Sequence, residues 1–150
     1  MILNTDEAEI YSGLQGGMIV IWDLGKSKVK LNLQGHSTLI TSLSIYRINS
    51  VPSILASASA DGKIKLWDIK AKSSSTNLKG HFCQVDTLSF SPDFTYLASG
   101  AQDGLVKLWD IRTLKCFKEL NSFDNCINLQ KKGEMLGQII KSNMNENDFK

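Results

Sequence analysis

Histidine is almost missing from this sequence. Its 150 residues hold two, His36 and His81, too few for a metal centre built on clustered imidazoles, so no metal site is expected. Cysteine is scarce as well. Cys83, Cys116 and Cys126 are odd in number and form no CxxC pair. They read as free thiols in a reducing compartment, not as a disulfide framework. No apolar run approaches the roughly 18 residues that a membrane-spanning helix needs. The N-terminal "MILNTDEAEI" is acidic and has no basic region ahead of an apolar stretch, so it does not read as a secretory signal. Proline occurs twice. What remains is an ordinary composition, 42% apolar and 21% charged, with a length that suits one domain and a modest core.

The net charge of +2 is unevenly placed. Residues 1–25 hold four acids and no Lys or Arg, giving −4. Residues 26–118 hold 13 Lys and Arg against six Asp, giving +7. Residues 119–150 hold four Lys and five acids, giving −1. A basic middle favours acidic partners through long-range attraction. Lysines on strand edges also guard against edge-to-edge aggregation, and that reading accounts for the same charges.

The middle is also where the chain repeats itself. "SADGKIKLWDIK" at 59–70 returns as "AQDGLVKLWDIR" at 101–112, and a weaker copy, "LQGGMIVIWDLG", stands at 14–25. Trp-Asp pairs fall at 22–23, 67–68 and 109–110, spaced by 45 and then 42 residues. Gly35-His36 and Gly80-His81 recur at 45. After the second of these come "VDTLSF", "SPDF", "TYLASGA", "QDG" and "LVKLWD", and "KCFKEL" closes the unit. The apolar runs alternate with period two and are rich in β-branched and aromatic residues, which is strand chemistry. The Pro-Asp and Asp-Gly pairs between them are turn chemistry. A unit of about 42 residues built of four short antiparallel strands is a recognised repeat class.

On these residues the chain resembles the WD-repeat family, over about residues 8–120. The resemblance implies an all-β fold of four-stranded antiparallel blades from a β-propeller. About three blades are expected, in an incomplete ring: 1–34 a partial first blade lacking its first strand, 35–79 a second, 80–120 a third, 121–141 a degraded partial blade, and 142–150 a polar tail. Roughly four to eight blades close a ring. Further blades from a longer product, or assembly with another chain, are therefore expected.

In this family a buried network joins a loop His, a strand Ser or Thr, a turn Asp and a strand Trp. By position these would be His36, Ser59, Asp61 and Trp67. In the next unit His81, Asp103 and Trp109 remain, with Ala101 at the Ser position. In the first unit Trp22 survives, with Leu14 and Gly16 at the other two places. Ser, His and Asp together suggest a hydrolase triad. Graded copies in each unit, a shielding Trp and the lack of an oxyanion-hole glycine pattern argue for a structural fastener instead. No catalytic residue, cofactor or small-molecule substrate is expected. "GLQGG" at 13–17 has no Lys-Ser/Thr after it and is not a phosphate loop. Nucleic-acid binding is not expected, since basic and aromatic residues do not interleave.

The family's usual activity is protein binding on flat rims. The order and spacing of these units are similar to blades of the katanin regulatory (non-catalytic) subunit. That resemblance implies a cytoplasmic, cytoskeleton-associated scaffold that targets a microtubule-severing ATPase. "VKLWDIR" also resembles the Trp-Asp-x-Arg signature of WD-repeat substrate receptors of cullin–RING ubiquitin ligases, in which the place of Arg112 meets the adaptor. Candidate partner-binding residues are Arg112, Phe82, Ser37 and Thr38. "RINSVP" at 47–52 reads as a loop on one rim.

Overall fold

A computed structural model describes residues 2–5, 9–48, 51–71 and 76–121, with side chains over 9–47, 53–71 and 76–121. Among the described residues, twelve strands form three antiparallel sheets of four, each in simple chain order. Sheet one holds β1 (Ile2–Thr5), β2 (Glu9–Gly13), β3 (Met18–Asp23) and β4 (Lys28–Gln34). Sheet two holds β5 (Ile40–Ile48), β6 (Val51–Ser59), β7 (Ile64–Asp68) and β8 (Thr76–Leu78). Sheet three holds β9 (Val85–Phe90), β10 (Tyr96–Ala101), β11 (Leu105–Asp110) and β12 (Lys115–Asn121). The sheets are blades of an open, unclosed propeller. The degraded blade and polar tail expected after residue 121 lie outside the described residues.

Two expectations are corrected. The first blade does not lack its first strand. Ile2–Thr5 pairs with β2, Ile2 opposite Gly13 and Thr5 opposite Ile10. A hairpin needs as few as about two connecting residues, so four residues ahead of a short connection are enough for an edge strand. The segment "RINSVP" is not a rim loop over most of its length. It prolongs the β5–β6 hairpin, with Arg47 opposite Pro52 and Ile48 opposite Val51. Val51 and Ile48 favour strand geometry, and Pro52 is tolerated because the register shifts between Tyr46 and Arg47.

Each sheet is apolar where it meets a described neighbour, and sheet two, between the other two, is apolar on both faces. Tyr11, Ile19 and Ile21 of sheet one meet Ile40, Leu43 and Leu55 of sheet two. Ala58, Ile64 and Leu66 of sheet two meet Val85, Leu88 and Leu97 of sheet three. Burying each larger side chain contributes roughly 1.5–3 kcal/mol. The first strand of each sheet packs on the first strand of the next, β1 on β5 and β5 on β9. Such strands carry edge N–H groups that need partners. β5 supplies them: Leu88 N–H donates to Ser42 Oγ at 3.2 Å and Phe90 N–H to Ser44 Oγ at 3.3 Å.

Candidate functional site

The two Gly-His connectors and the two Asp-Gly turns meet at one end of the sheets. His36 arrives from the connector between β4 and β5, Ser57 from β6, Asp61 from the β6–β7 turn and Trp67 from β7. His36 Nδ1 lies 3.1 Å from Asp61 Oδ2, and His36 Nε2 lies 2.8 Å from Ser57 Oγ. Trp67 Nε1–H donates to the same Ser57 oxygen at 2.8 Å. Sheet three repeats this with His81, Asp103, Ser99 and Trp109 at 2.9, 2.7 and 2.8 Å.

The serine of the network is therefore Ser57, not Ser59, and in sheet three it is Ser99, so that network is complete and Ala101 is not its missing member. The reason is geometric. Residues two apart on a strand share a face, and Ser59 stands roughly 6.6 Å nearer the rim than Ser57. A register shift between Ile40 and Ser42 lies beside it. Ser59 instead bonds Thr38 Oγ1 at 3.1 Å and accepts Asp61 N–H at 3.2 Å. The signal that finds the right serine was present: Ser12, Ser57 and Ser99 each stand ten residues before their Trp.

Trp22 joins no such network. It is 42% exposed, against 2% for Trp67 and 1% for Trp109, and its indole N–H has no partner among the described residues. Trp67 and Trp109 are each capped by the connector ahead of their own sheet. A Cβ on Gly35 or Gly80 would come within 2.9 Å of the indole. No described connector occupies that place over sheet one, and Gly16 stands where Asp61 and Asp103 stand in the other sheets.

The turns of one sheet also support the connector of the next. Gly17 has φ of 76° and Gly62 has φ of 75°, in the left-handed region that glycine enters readily. A Cβ at Gly17 would strike the His36 carbonyl oxygen at 2.3 Å. The Asp of each Trp-Asp pair closes the following turn: Asp68 Oδ1 accepts the N–H of Lys70 and Ala71, each at 2.9 Å. That role went unassigned from sequence, although Asp at the head of a turn is its usual sign.

Burial pushes the His36 imidazole below its ordinary value, against the opposing pull of Asp61, so the ring is neutral at pH 7. Burial raises Asp61, but the N–H groups of Lys63 and Ser37 and the His36 ring outweigh it and hold the carboxyl below its ordinary value. The directions then follow one another. Trp67 donates to Ser57, Ser57 donates to His36 Nε2, and His36 Nδ1–H donates to Asp61. Ser57 is fully buried and its oxygen is occupied by an indole N–H, so no carbonyl can reach it. Among the described residues, no cluster of His, Cys, Asp and Glu could hold a metal.

The candidate partner-binding residues divide between two ends of the molecule. Ser37, Thr38 and Phe82 lie on the Gly-His connectors, at the end of the networks. Phe82 is 90% exposed, and Cys83 beside it is exposed. Ser37 N–H donates to Asp61 Oδ2 at 3.2 Å, so its backbone is fixed by the network. Arg112 lies in the β11–β12 turn at the opposite end of sheet three. The lysines of the basic middle are not all free surface charge. Lys107 is 4% exposed and pairs with Glu119, and Lys65 Nζ donates to Asn77 Oδ1 at 2.6 Å.

The family described as "WD domain, G-beta repeat" matches residues 27–68 and 72–110, more than half of the chain. No curated relative matches the sequence. A solved structure described as "Crystal Structure of Mitotic Checkpoint Complex" contains a chain of similar fold, with a TM-score of 0.73 and 26% identity. The match covers 82% of this chain and 38% of that one. WD-repeat proteins are generally non-catalytic scaffolds that mediate protein–protein interaction, and the buried, doubly repeated polar networks suit such a role. This chain belongs to the WD-repeat family.

Proposed function

We propose that the chain is a non-enzymatic protein-interaction scaffold of the katanin regulatory-subunit type, cytoplasmic and associated with the cytoskeleton, which brings microtubule severing to its site. The observation that carries a binding role is Phe82. A phenylalanine 90% exposed on a rim held by buried networks is an apolar anchor without a described partner. Exposed Lys63 and Lys79 lie on the same rim, so an acidic protein surface complements it. The test is co-sedimentation with microtubules across a salt series, wild type against Phe82→Ala. The proposal expects pelleting at low salt that fades as salt rises and weakens in the variant. No pelleting even at low ionic strength would remove the microtubule assignment.

A second reading, substrate receptor of a cullin–RING ligase, is favoured by one observation: Arg112 is exposed at a turn, where a guanidinium could make bidentate contacts. Pull-down of the ligase adaptor with wild type and Arg112→Ala decides it, since equal recovery from both would end that reading.

A further inference from the structure

Leu24 and Val29 stand beside Trp22 on sheet one, 46% and 47% exposed. Their counterparts in the other sheets are covered. Leu24, two residues past its Trp, corresponds to Ile69 and Ile111. Val29, opposite Trp22 in the ladder, corresponds to Cys116, opposite Trp109. Ile69 packs with Trp67 against sheet one, and Ile111 and Cys116 pack with Trp109 against sheet two. At both described junctions the Trp face of one sheet is thus closed by the sheet before it. The Trp face of sheet one has no described sheet before it.

This face is also free of charge where the other two are not. Two residues before each Trp stand Lys65 and Lys107 in sheets two and three, and Val20 in sheet one. By register, Val20 shares its face with Ser12 and Asn32, and Trp22 with Ile10 and Val29. Lys30, the extra residue of the β4 bulge, pairs with Glu9, which lies on the other face with Tyr11. Charges appear only at the hairpin end. There Asp23 lies 3.8 Å from Lys26 and opposite Lys28 in the ladder, a mixed rim with one net positive charge.

We infer that the Trp22 face closes on the same face of a second copy of the chain, in a two-fold dimer centred on Trp22, Leu24 and Val29. Three observations select this occupant. The first is the lack of any other open face to supply the cover. The covering face of sheet one lies on sheet two and that of sheet two on sheet three, while Ala98, Val106 and Leu108 on that side of sheet three are at most 5% exposed. A second copy therefore offers its own Trp22 face, and the contact is isologous. The second is Val20. A two-fold axis brings identical residues together, so a lysine in its place would approach its twin, and valine removes that repulsion. The third is Gly16. A blade arriving with its own Gly-His connector would find no carboxylate where Asp61 and Asp103 hold the ring in the other sheets.

Ser12 and Val20 are already buried, so the contact is carried by the Trp22 end of the face. That patch is well short of the roughly 800 Å² per partner of a standard interface, and the dimer is weak, with a Kd on the order of 100 μM. The inference rests on neither the katanin nor the ligase assignment.

The test is sedimentation equilibrium of the full chain over a concentration series at two salt concentrations. Wild type is run beside Trp22→Lys, Val29→Lys and Phe82→Ala. A monomer–dimer equilibrium is expected, with Kd raised at least about tenfold by either lysine. Both lysines replace exposed residues, and Val29→Lys on edge strand β4 keeps the test open if Trp22→Lys does not fold. Phe82→Ala, on the other rim, is expected to leave the Kd unchanged. The Kd is expected not to rise with salt, the opposite of microtubule pelleting, because the contact is apolar and its rim carries like net charge. A chain that stays monomeric throughout would overturn the inference and leave the face to another protein. Open-ended oligomers, a Kd unchanged in the lysine variants, or a dimer lost in Phe82→Ala would each overturn it as well.

Discussion

Ser57 Oγ sits 2.8 Å from Trp67 Nε1, and ten residues before the next Trp, Ser99 Oγ sits 2.8 Å from Trp109 Nε1. In both sheets the hydroxyl joins the indole to a histidine on the connector and through it to an aspartate on the turn. One small side chain thus fastens three backbone segments.

Replacing Ser57 by Ala would strand a buried indole N–H and a buried imidazole nitrogen. Each such group costs roughly 1–3 kcal/mol, so a loss of about 3 kcal/mol is expected. Ser59→Ala removes bonds to Thr38 and to the Asp61 N–H near the rim and is expected to cost about 1 kcal/mol. Urea unfolding of both variants, with unchanged m values, measures the difference. Equal losses would mean that the two serines share the role.

That pair shows where the sequence was legible and where it was not. The period-two runs, the Asp-Gly turns and the spaced Trp-Asp pairs carried the strands of sheets two and three. Ser57 and Ser59 share a face, so alternation could not choose between them; distance to the Trp could. β1 was missed because four residues without a Trp-Asp or Gly-His landmark carry little pattern. The prolonged hairpin at 47–52 was missed because Pro52 reads as a turn until the register shift beside it is seen. Trp22 carries the same motif as Trp67, and its exposure depends on what covers its sheet, which no local pattern encodes.

Gly35→Ala places a methyl 2.9 Å from the buried Trp67 ring, which has no room to move. Overpacking of this kind costs roughly 1–3 kcal/mol. Gly16→Ala meets nothing within 4 Å and is expected to be close to neutral. Thermal melting of the two variants compares them; a neutral Gly35→Ala would show that the connector is not seated on the indole.

Acid should weaken the fold in two stages. The His36 pKa is lowered by burial, so below its ordinary value near 6.5 the unfolded chain takes up a proton that the folded chain refuses, and stability falls with pH. Asp61 and Asp103 have lowered pKa values in the fold, so their contribution is complete above about 3.8 and is lost as pH falls below it. Urea unfolding from pH 7 to pH 3 should show both declines, and His36→Gln should flatten the first. A His36→Gln profile that keeps the full decline near pH 6 would assign it to another group.

Exchange of the three indole N–H protons, followed by NMR in deuterated water, tests the central claim most directly, because it reads the two networks separately. Trp67 and Trp109, buried and bonded to Ser57 and Ser99, should exchange slowly, and Trp22, 42% exposed, quickly. Ser57→Ala should speed Trp67 alone while Trp109 stays protected. Three similar rates in the wild type, or no change at Trp67 in the variant, would contradict the account.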